Sequence, residues 1–334
     1  MAQNHDNNKI LVIDSGGTTT RMAIWDGEEL HDISSFPTKN YKDKKLRGAS
    51  VSDVQKVWIA DLAEKVAGYR QRHNFSKIML AMAGPVTDDG TIIYSHNIWG
   101  DEDCELPTST LSETWKCDVT VINDMTAAAA RYGKDPRFSS HHKIMSMTIS
   151  SGIGAKVYDT KHKEISLEAA ESFEEIGLLT FTTEKVFFDD KPLSGVLERY
   201  CSGNGIVKLA EAMAEDEKYR ELFILSALNK NITTKKAETF PQKLLQYVDD
   251  EDAFAIAVIK TSIHILAKTL KNIIVANDPD VIVLMGGLAI NGGERYRSLF
   301  VEEIKNVGID KLVALGYDDG YDGIIGAGVL SSKT

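Results

Sequence analysis

The chain has 334 residues, 43% of them apolar and 26% charged, and a formal net charge of −11. That length supports two domains with full cores. The acidic balance argues against broad nucleic-acid binding, which wants a basic face, but leaves room for local positive sites that take an anionic substrate.

Ile10 to Ile13 is a short apolar run rich in β-branched residues and reads as a buried strand. It ends in Asp14 and is followed by Gly16, Gly17, Thr18, Thr19, Thr20 and Arg21, then by a second apolar segment, Met22 to Trp25. The pattern is strand, glycine turn, strand. Glycines let the backbone come close to an anion, and the N–H groups of such a turn can point at phosphate oxygens. Asp14 at the strand end is placed to hold a hydrated Mg²⁺. The turn lacks the lysine of a Walker loop, and its glycines open a strand rather than the helix of a dinucleotide fingerprint. Taken alone it equally fits an ordinary β-hairpin.

Glu29 to Phe36 reads as a third strand, and the charged loop Lys39 to Arg47 as solvated rather than phosphate-binding. Ser52 to His73 has helical apolar spacing at Val54, Val57, Trp58, Leu62 and Val66. Lys77 to Ala83 is a buried strand ending in Gly84-Pro85-Val86, and a further strand, Val119 to Ile122, leads into Asn123-Asp124. Ligands in open α/β sheets bind at this end of the strands, yet the pair by itself reads more readily as Asp124 capping the alanine-rich helix Met125 to Tyr132. The hairpin pattern then recurs. Lys143 to Ile149 is strand-like, Ser150-Ser151-Gly152-Ile153-Gly154 is a small-residue turn, and Ala155 to Tyr158 resumes the strand. From Leu193 to Asn277 the chain is mostly helical, with Ile256 to Ile274 a long amphipathic helix stopped by Asp278-Pro279. Asp280 to Met285 is a buried strand followed by Gly286-Gly287, and Gly323 to Leu330 is a helix of small residues suited to close packing on a sheet.

Three cysteines, Cys104, Cys117 and Cys201, contain no Cys-x-x-Cys pair and read as reduced thiols of a cytoplasmic protein. The polar N-terminus has no signal-peptide core. Apolar runs such as Val281 to Met285 are far too short to cross a membrane.

Two strand–glycine–strand units, one in each half, suggest a duplicated fold whose loops face each other across a cleft. Asp14-Ser-Gly-Gly-Thr-Thr-Thr-Arg21 resembles the first phosphate motif of the glucokinase and ROK (repressor, ORF, kinase) sugar kinases. Further motifs match in the same order. Gly84-Pro85 resembles the family's turn near the sugar, and Asn97 and Trp99 its Asn-x-x-Trp region. Asn123-Asp124 resembles the pair that carries the catalytic base. Ser151-Gly-Ile-Gly154 resembles the second phosphate loop, and Glu175-Ile-Gly177 the start of a sugar-binding Glu-x-Gly-His motif. Glu198 resembles a second sugar-binding glutamate, and Pro279 to Gly287 the strand and glycines beside adenosine.

The resemblance implies an α/β protein with the duplicated actin-like ATPase (ribonuclease H-like) fold. A smaller domain would span residues 1–124, with the C-terminal helix, about 320–334, packed back on it, and a larger one residues 125–319. It implies ATP-dependent phosphorylation of a hexose-like sugar, by family default at the primary 6-hydroxyl as in glycolysis. Asp124 would be the general base. Substrate would contact Gly84, Asn97, Asn123, Asp124, Glu175 and Glu198. Nucleotide would contact Asp14, Gly16, Gly17, Thr18, Thr19, Arg21, Ser151, Gly152, Gly154, Gly286 and Gly287, with Mg²⁺ held by Asp14 through water. The partners implied are a small-molecule sugar and a second copy of the chain, with neither nucleic acid nor membrane.

The sequence departs from the family in three places. Leu178 stands where the motif has histidine. Glu184 to Gly195 contains no cysteine, so no structural zinc is expected. Ser150 stands where a glycine is usual. Leu178 favours an alternative, a kinase for an amino sugar or cyclitol. A non-catalytic sugar sensor is a further alternative, disfavoured by the retained Asp124 and by a first strand that begins near residue 9.

Overall fold

The computed structural model of the chain describes residues 9–100, 102–168, 176–184, 188, 192–229 and 239–332. Strands β1 (Ile10–Ser15), β2 (Thr19–Trp25) and β3 (Leu30–Pro37) form an antiparallel meander. Helix α1 (Val51–Arg72) then carries the chain over the sheet to β4 (Lys77–Met82), which lies parallel to β1. Ser50 caps α1 by accepting the Asp53 N–H, and Val54, Trp58, Leu62, Val66 and Tyr69 place one face of the helix in the core. Burying each of the larger of these side chains contributes about 1.5–3 kcal/mol. The polar tips are satisfied: the Trp58 indole donates to Ser15 Oγ, and the Tyr69 hydroxyl, with one hydrogen, donates to the Asp32 carbonyl at 2.6 Å with the Met22 carbonyl 3.0 Å away.

After the short helices α2 (His96–Trp99) and α3 (Thr108–Trp115), β5 (Asp118–Asn123) adds parallel to β4 and leads into α4 (Asp124–Gly133). The sheet order is β3-β2-β1-β4-β5.

The second half repeats this topology. β6 (Lys143–Ile149), β7 (Ile153–Asp159) and β8 (Glu164–Ser166) form a meander, and the small ribbon β9 (Thr180–Thr182) with β10 (Ser194–Val196) follows. Helices α5 (Glu198–Cys201), α6 (Ile206–Glu215), α7 (Glu217–Leu225), α8 (Phe240–Asp249) and α9 (Ala253–Asn277) come next. Strand β11 (Val281–Met285), helix α10 (Gly287–Asn306, interrupted at Gly293), strand β12 (Leu312–Leu315) and helix α11 (Asp322–Ser331) complete the chain. Both β11 and β12 run parallel to β6, in the order β12-β11-β6-β7-β8. Helix α9 is long and apolar enough, by length and composition, to cross a membrane. Phe254, Val258, Leu266 and Ile274 place much of it in the core of this half.

The chain divides into two compact units, Met1–Arg137 with Asp319–Thr334, and Phe138–Asp318. Residue 124, where the sequence motif suggests a boundary, lies inside the first unit. The reason is α4, which begins there and packs along α11. A Cβ on Gly326 of α11 would lie 1.7 Å from the Ala127 carbonyl oxygen of α4. Ile324 and Ala327 complete this layer against Val12, Ala23 and Met79 of the sheet.

Candidate active site

In the first unit the turn Gly16–Thr18 connects β1 and β2 at the end where the parallel strands finish. Gly17 packs directly on Asn97 at the start of α2: a Cβ added there would lie 2.9 Å from both the Asn97 Cβ and its carbonyl oxygen. The Gly84-Pro85 turn after β4 is close by. Gly84 adopts φ +121°, a conformation that glycine takes without strain, and leaves no room for a side chain beside the Tyr94 carbonyl.

The Asn123-Asp124 pair by itself reads as Asp124 capping α4, but the structure gives that task to Asn123. Its Oδ1 accepts the N–H groups of Met125 (2.9 Å) and Thr126 (3.2 Å), and its Nδ2 donates to the Gly84 carbonyl (2.9 Å) and to Asp124 Oδ1 (3.1 Å). Both amide hydrogens and the amide oxygen of Asn123 are therefore engaged by the protein. Asp124 is the first helical residue, its Oδ1 2.8 Å from the Met125 nitrogen.

Asp14 sits close enough to feel this carboxylate. Burial, and then the charge of Asp124, push its carboxyl up to about 7, against the opposing pull of Arg21, whose Nη1 is 3.9 Å away. Packing contributes to the burial: a Cβ on Gly323 of α11 would lie 2.4 Å from the Asp14 carboxyl carbon. The pKa is raised on folding, so the native state loses stability as pH rises from the unfolded value of 3.8 to about 7, and carries the full penalty above that. Asp14→Asn is therefore expected to raise the melting temperature of the ligand-free protein at pH of about 8, and to change it little at pH of about 4. Parallel melting curves at the two pH values check this; an equal shift at both would contradict it.

The C-terminal end of α4 is anchored as firmly. Arg131, only 7% exposed, bonds Asp319 (2.7 Å) and Asp322 (2.8 Å), and the Tyr132 hydroxyl donates to Asp322 (2.8 Å). These residues tie the helix that carries Asp124 to the segment entering α11.

In the second unit the turn between β6 and β7 is gripped through its backbone. The Ser150 N–H donates to the Gly152 carbonyl (2.9 Å), and the Ser150 carbonyl accepts from the Gly203 N–H (2.6 Å). The Ser150 backbone is thus held on both sides. The Glu198 carboxylate packs on the same turn. Its Oε2 accepts the Ile153 N–H at 3.1 Å, and Cβ atoms on Gly152 and Gly177 would lie 2.8 and 2.6 Å from it. Gly286, at φ +85°, closes against the end of β6, where a Cβ would meet Thr148 Oγ1 at 2.5 Å. Gly287 opens α10 beside it. Leu178, in the turn Ile176–Leu178, is 54% exposed, so it is not a core residue.

The structure thus brings Asp14, Gly16, Gly17, Thr18, Thr19, Arg21, Gly84, Asn97, Asn123 and Asp124 into the first unit. Ser151, Gly152, Gly154, Glu198, Gly286 and Gly287 lie in the second. Glu175 lies outside the described residues.

Compared with known families, residues 10–306 match the ROK family. The chain belongs to the ROK family. It is 27% identical to a C(7)-cyclitol 7-kinase of Streptomyces hygroscopicus subsp. limoneus, over 97% of this chain and 93% of that protein. It is 24% identical to a glucokinase of Halalkalibacterium halodurans, over 95% and 93%. Among solved structures it resembles a ROK family glucokinase from Streptomyces griseus in complex with glucose and AMPPNP, with a TM-score of 0.69, 17% identity, and 98% and 100% of the two chains covered. The likeness establishes the fold as the actin-like ATPase, hexokinase-type architecture, in agreement with the two meander-plus-parallel sheets.

In this ROK chain the expected absence of zinc rests on residues 184–195, of which 185–187 and 189–191 lie outside the described residues. Among the described residues, one group of three metal-capable side chains is close enough to share an ion: Asp26, Glu29 and His31, at the surface of the first unit. Asp26 there accepts the N–H groups of Glu28 and Glu29 and pairs with His31 at 2.6 Å, which is the bonding of a tight turn.

Proposed function

We propose that this ROK protein transfers the γ-phosphoryl group of ATP to a hydroxyl of a hexose-like ring, with Asp124 as general base. The observation that carries the reading is the division of labour at the end of β5. Asn123 caps the helix and bonds the Asp124 carboxylate, which is therefore not the cap and whose charge acts on the buried Asp14. The cyclitol kinase and the glucokinase among the relatives support the same reaction class.

A sugar hydroxyl has a pKa far above neutral. Asp124 would take its proton as the oxygen bonds to phosphorus and the bond to the departing β-phosphate oxygen breaks, then release it to solvent. The buried Asp14 beside a second carboxylate is a surplus of negative charge that suits a divalent cation, held through water. When bound, Mg²⁺ would offset charge on the phosphate oxygens. The Gly16–Gly17 turn, Thr18, Thr19 and Arg21 would take phosphates, and in the second unit Ser151, Gly152, Gly154, Gly286 and Gly287 would contact the nucleotide. Gly84, Asn97, Glu175 and Glu198 would face the sugar, while Asn123, its amide engaged by the protein, would act by holding Asp124. The test is ADP release measured over hexoses, amino sugars and cyclitols; no ADP formation with any of them overturns the reading.

A second reading, a cyclitol or amino-sugar kinase, is favoured by Leu178. A leucine offers no partner to a hydroxyl, and a hydroxyl that faced it in a closed site without water would be left unpaired at a cost of about 1–3 kcal/mol. Glucose should therefore be a weak substrate, and Leu178→His should shift the glucose-to-cyclitol ratio of kcat/KM toward glucose by roughly tenfold. A wild type that strongly prefers glucose, with no shift in the variant, would reject this reading.

A further inference from the structure

The first glycine turn is held from behind by residues outside every motif. Thr38, 4% exposed, donates from its hydroxyl to the Gly16 carbonyl at 2.7 Å. Asn40 Nδ2 donates to the Gly17 carbonyl at 2.7 Å, and its Oδ1 accepts the Lys42 N–H at 2.9 Å, which fixes the orientation of the amide. The Thr38 N–H reaches the Thr18 carbonyl at 3.0 Å.

Thr38 is also the end of a hydroxyl chain whose direction can be worked out. A carbonyl only accepts, so the single Thr38 hydroxyl hydrogen goes to Gly16, and Thr38 Oγ1 must accept from Thr20 Oγ1, 2.8 Å away. Thr20 has then spent its hydrogen and accepts from Ser15 Oγ at 3.2 Å, which in turn accepts the Trp58 indole N–H at 3.0 Å. The order is Trp58, Ser15, Thr20, Thr38, Gly16, all donating one way. Ser15 and Thr20 are 0% and 1% exposed, so water does not compete for these groups.

The chain contains no cis peptide among its described residues, and a trans peptide points its N–H opposite its C=O. With the carbonyls of Gly16 and Gly17 drawn toward Thr38 and Asn40, the N–H groups of Gly17 and Thr18 are turned the other way, to the side expected to receive an anion.

We propose that Thr38 and Asn40 are positioning residues for nucleotide binding: by holding the Gly16 and Gly17 carbonyls they aim the Gly17 and Thr18 N–H groups at the phosphates of a nucleoside triphosphate. This rests on the kinase reading above. The segment also ties the turn to the sugar side, since the Tyr41 N–H donates to the Ile98 carbonyl at 2.9 Å, one residue beyond Asn97. A sequence reading takes residues 39–47 for a solvated loop. Lys39, Lys42, Lys44, Lys45 and Arg47 are indeed exposed, but Asn40 and Tyr41 at its start are partly buried.

The test is the dissociation constant of Mg²⁺·AMPPNP, measured by calorimetry without sugar, on the full chain and well below its melting temperature. Thr38→Val keeps the shape and removes the donor; Asn40→Asp puts an acceptor against the Gly17 carbonyl. Both are expected to weaken AMPPNP binding by roughly tenfold or more, while Thr38→Ser, which keeps the hydroxyl, stays within about twofold. A purely structural role would lower the melting temperature and leave the affinity of the folded protein unchanged, which overturns the proposal. So would an equal loss in Thr38→Ser, or a wild type that does not bind AMPPNP. A wild type that binds AMPPNP but phosphorylates no polyol would sink the kinase reading, and the variants would still decide this one.

Discussion

Asp124→Asn lowers kcat by roughly 10²–10⁴, the usual contribution of a positioned general base, or about 2.7–5.4 kcal/mol of transition-state stabilisation. The substitution is nearly isosteric, and an asparagine Oδ1 can still accept from the Met125 N–H and from Asn123 Nδ2, so α4 and its cap stay intact. What disappears is the basicity and the charge. Losing the charge relieves Asp14, whose carboxyl is held up partly by Asp124, but also removes one of the two carboxylates that would attract a cation, so turnover is compared at saturating Mg²⁺. The variant should keep its substrate affinity within roughly threefold, and added Mg²⁺ should not restore its turnover. Steady-state kinetics across Mg²⁺ concentrations, with substrate binding measured separately, decide the matter. Turnover near the wild-type value, or recovery at high Mg²⁺, would remove Asp124 from the role of base.

Gly326→Ala is expected to be the most damaging single methyl group in the first unit. The new Cβ would sit 1.7 Å from the Ala127 carbonyl oxygen and 2.3 Å from its carbon. Both partners are helix backbone, with no flexible side-chain end that could swing aside, so α11 and α4 must separate. We expect about 3 kcal/mol of destabilisation or more, and a melting temperature lower by roughly 6 °C or more. Turnover should fall as well, because α4 carries Asp124 at its start. Gly68→Ala in α1 is the control. The nearest atom to its Cβ is Arg72 Nη1, at 3.9 Å, and alanine is the better helix former, so stability should hold or rise. Equal melting of Gly326→Ala and wild type would mean that the two helices are not in the close contact described.

The sequence by itself determined the repeated strand–turn–strand units, the helix from about 52 to 73, the apolar strands Lys77–Met82 and Val281–Met285, and the glycine turns at 16–17 and 152–154. Each of these is written in a period or a turn residue within a few positions, and such local patterns survive without knowledge of the rest of the chain. The fold class followed from finding two such units in one chain, and the ROK family from motifs in a fixed order.

Only the tertiary structure decided what those motifs touch. Asn123 and Asp124 are both good helix caps by residue type, and their roles separate only because the Gly84 carbonyl, 39 positions away, is there to bind the Asn123 amide. Thr38 and Asn40 carry no motif, and they matter because β3 returns beside β2 and delivers them to the glycine carbonyls. Arg131 meets Asp319 across 188 residues, because the end of the chain folds back onto the first unit. Glu198 meets the Ile153 N–H across 45 residues, because α5 is brought back to the β6–β7 turn. The placement of these side chains is set by sheet order and chain crossings, which depend on the whole hydrophobic pattern at once; no short window of sequence contains that information.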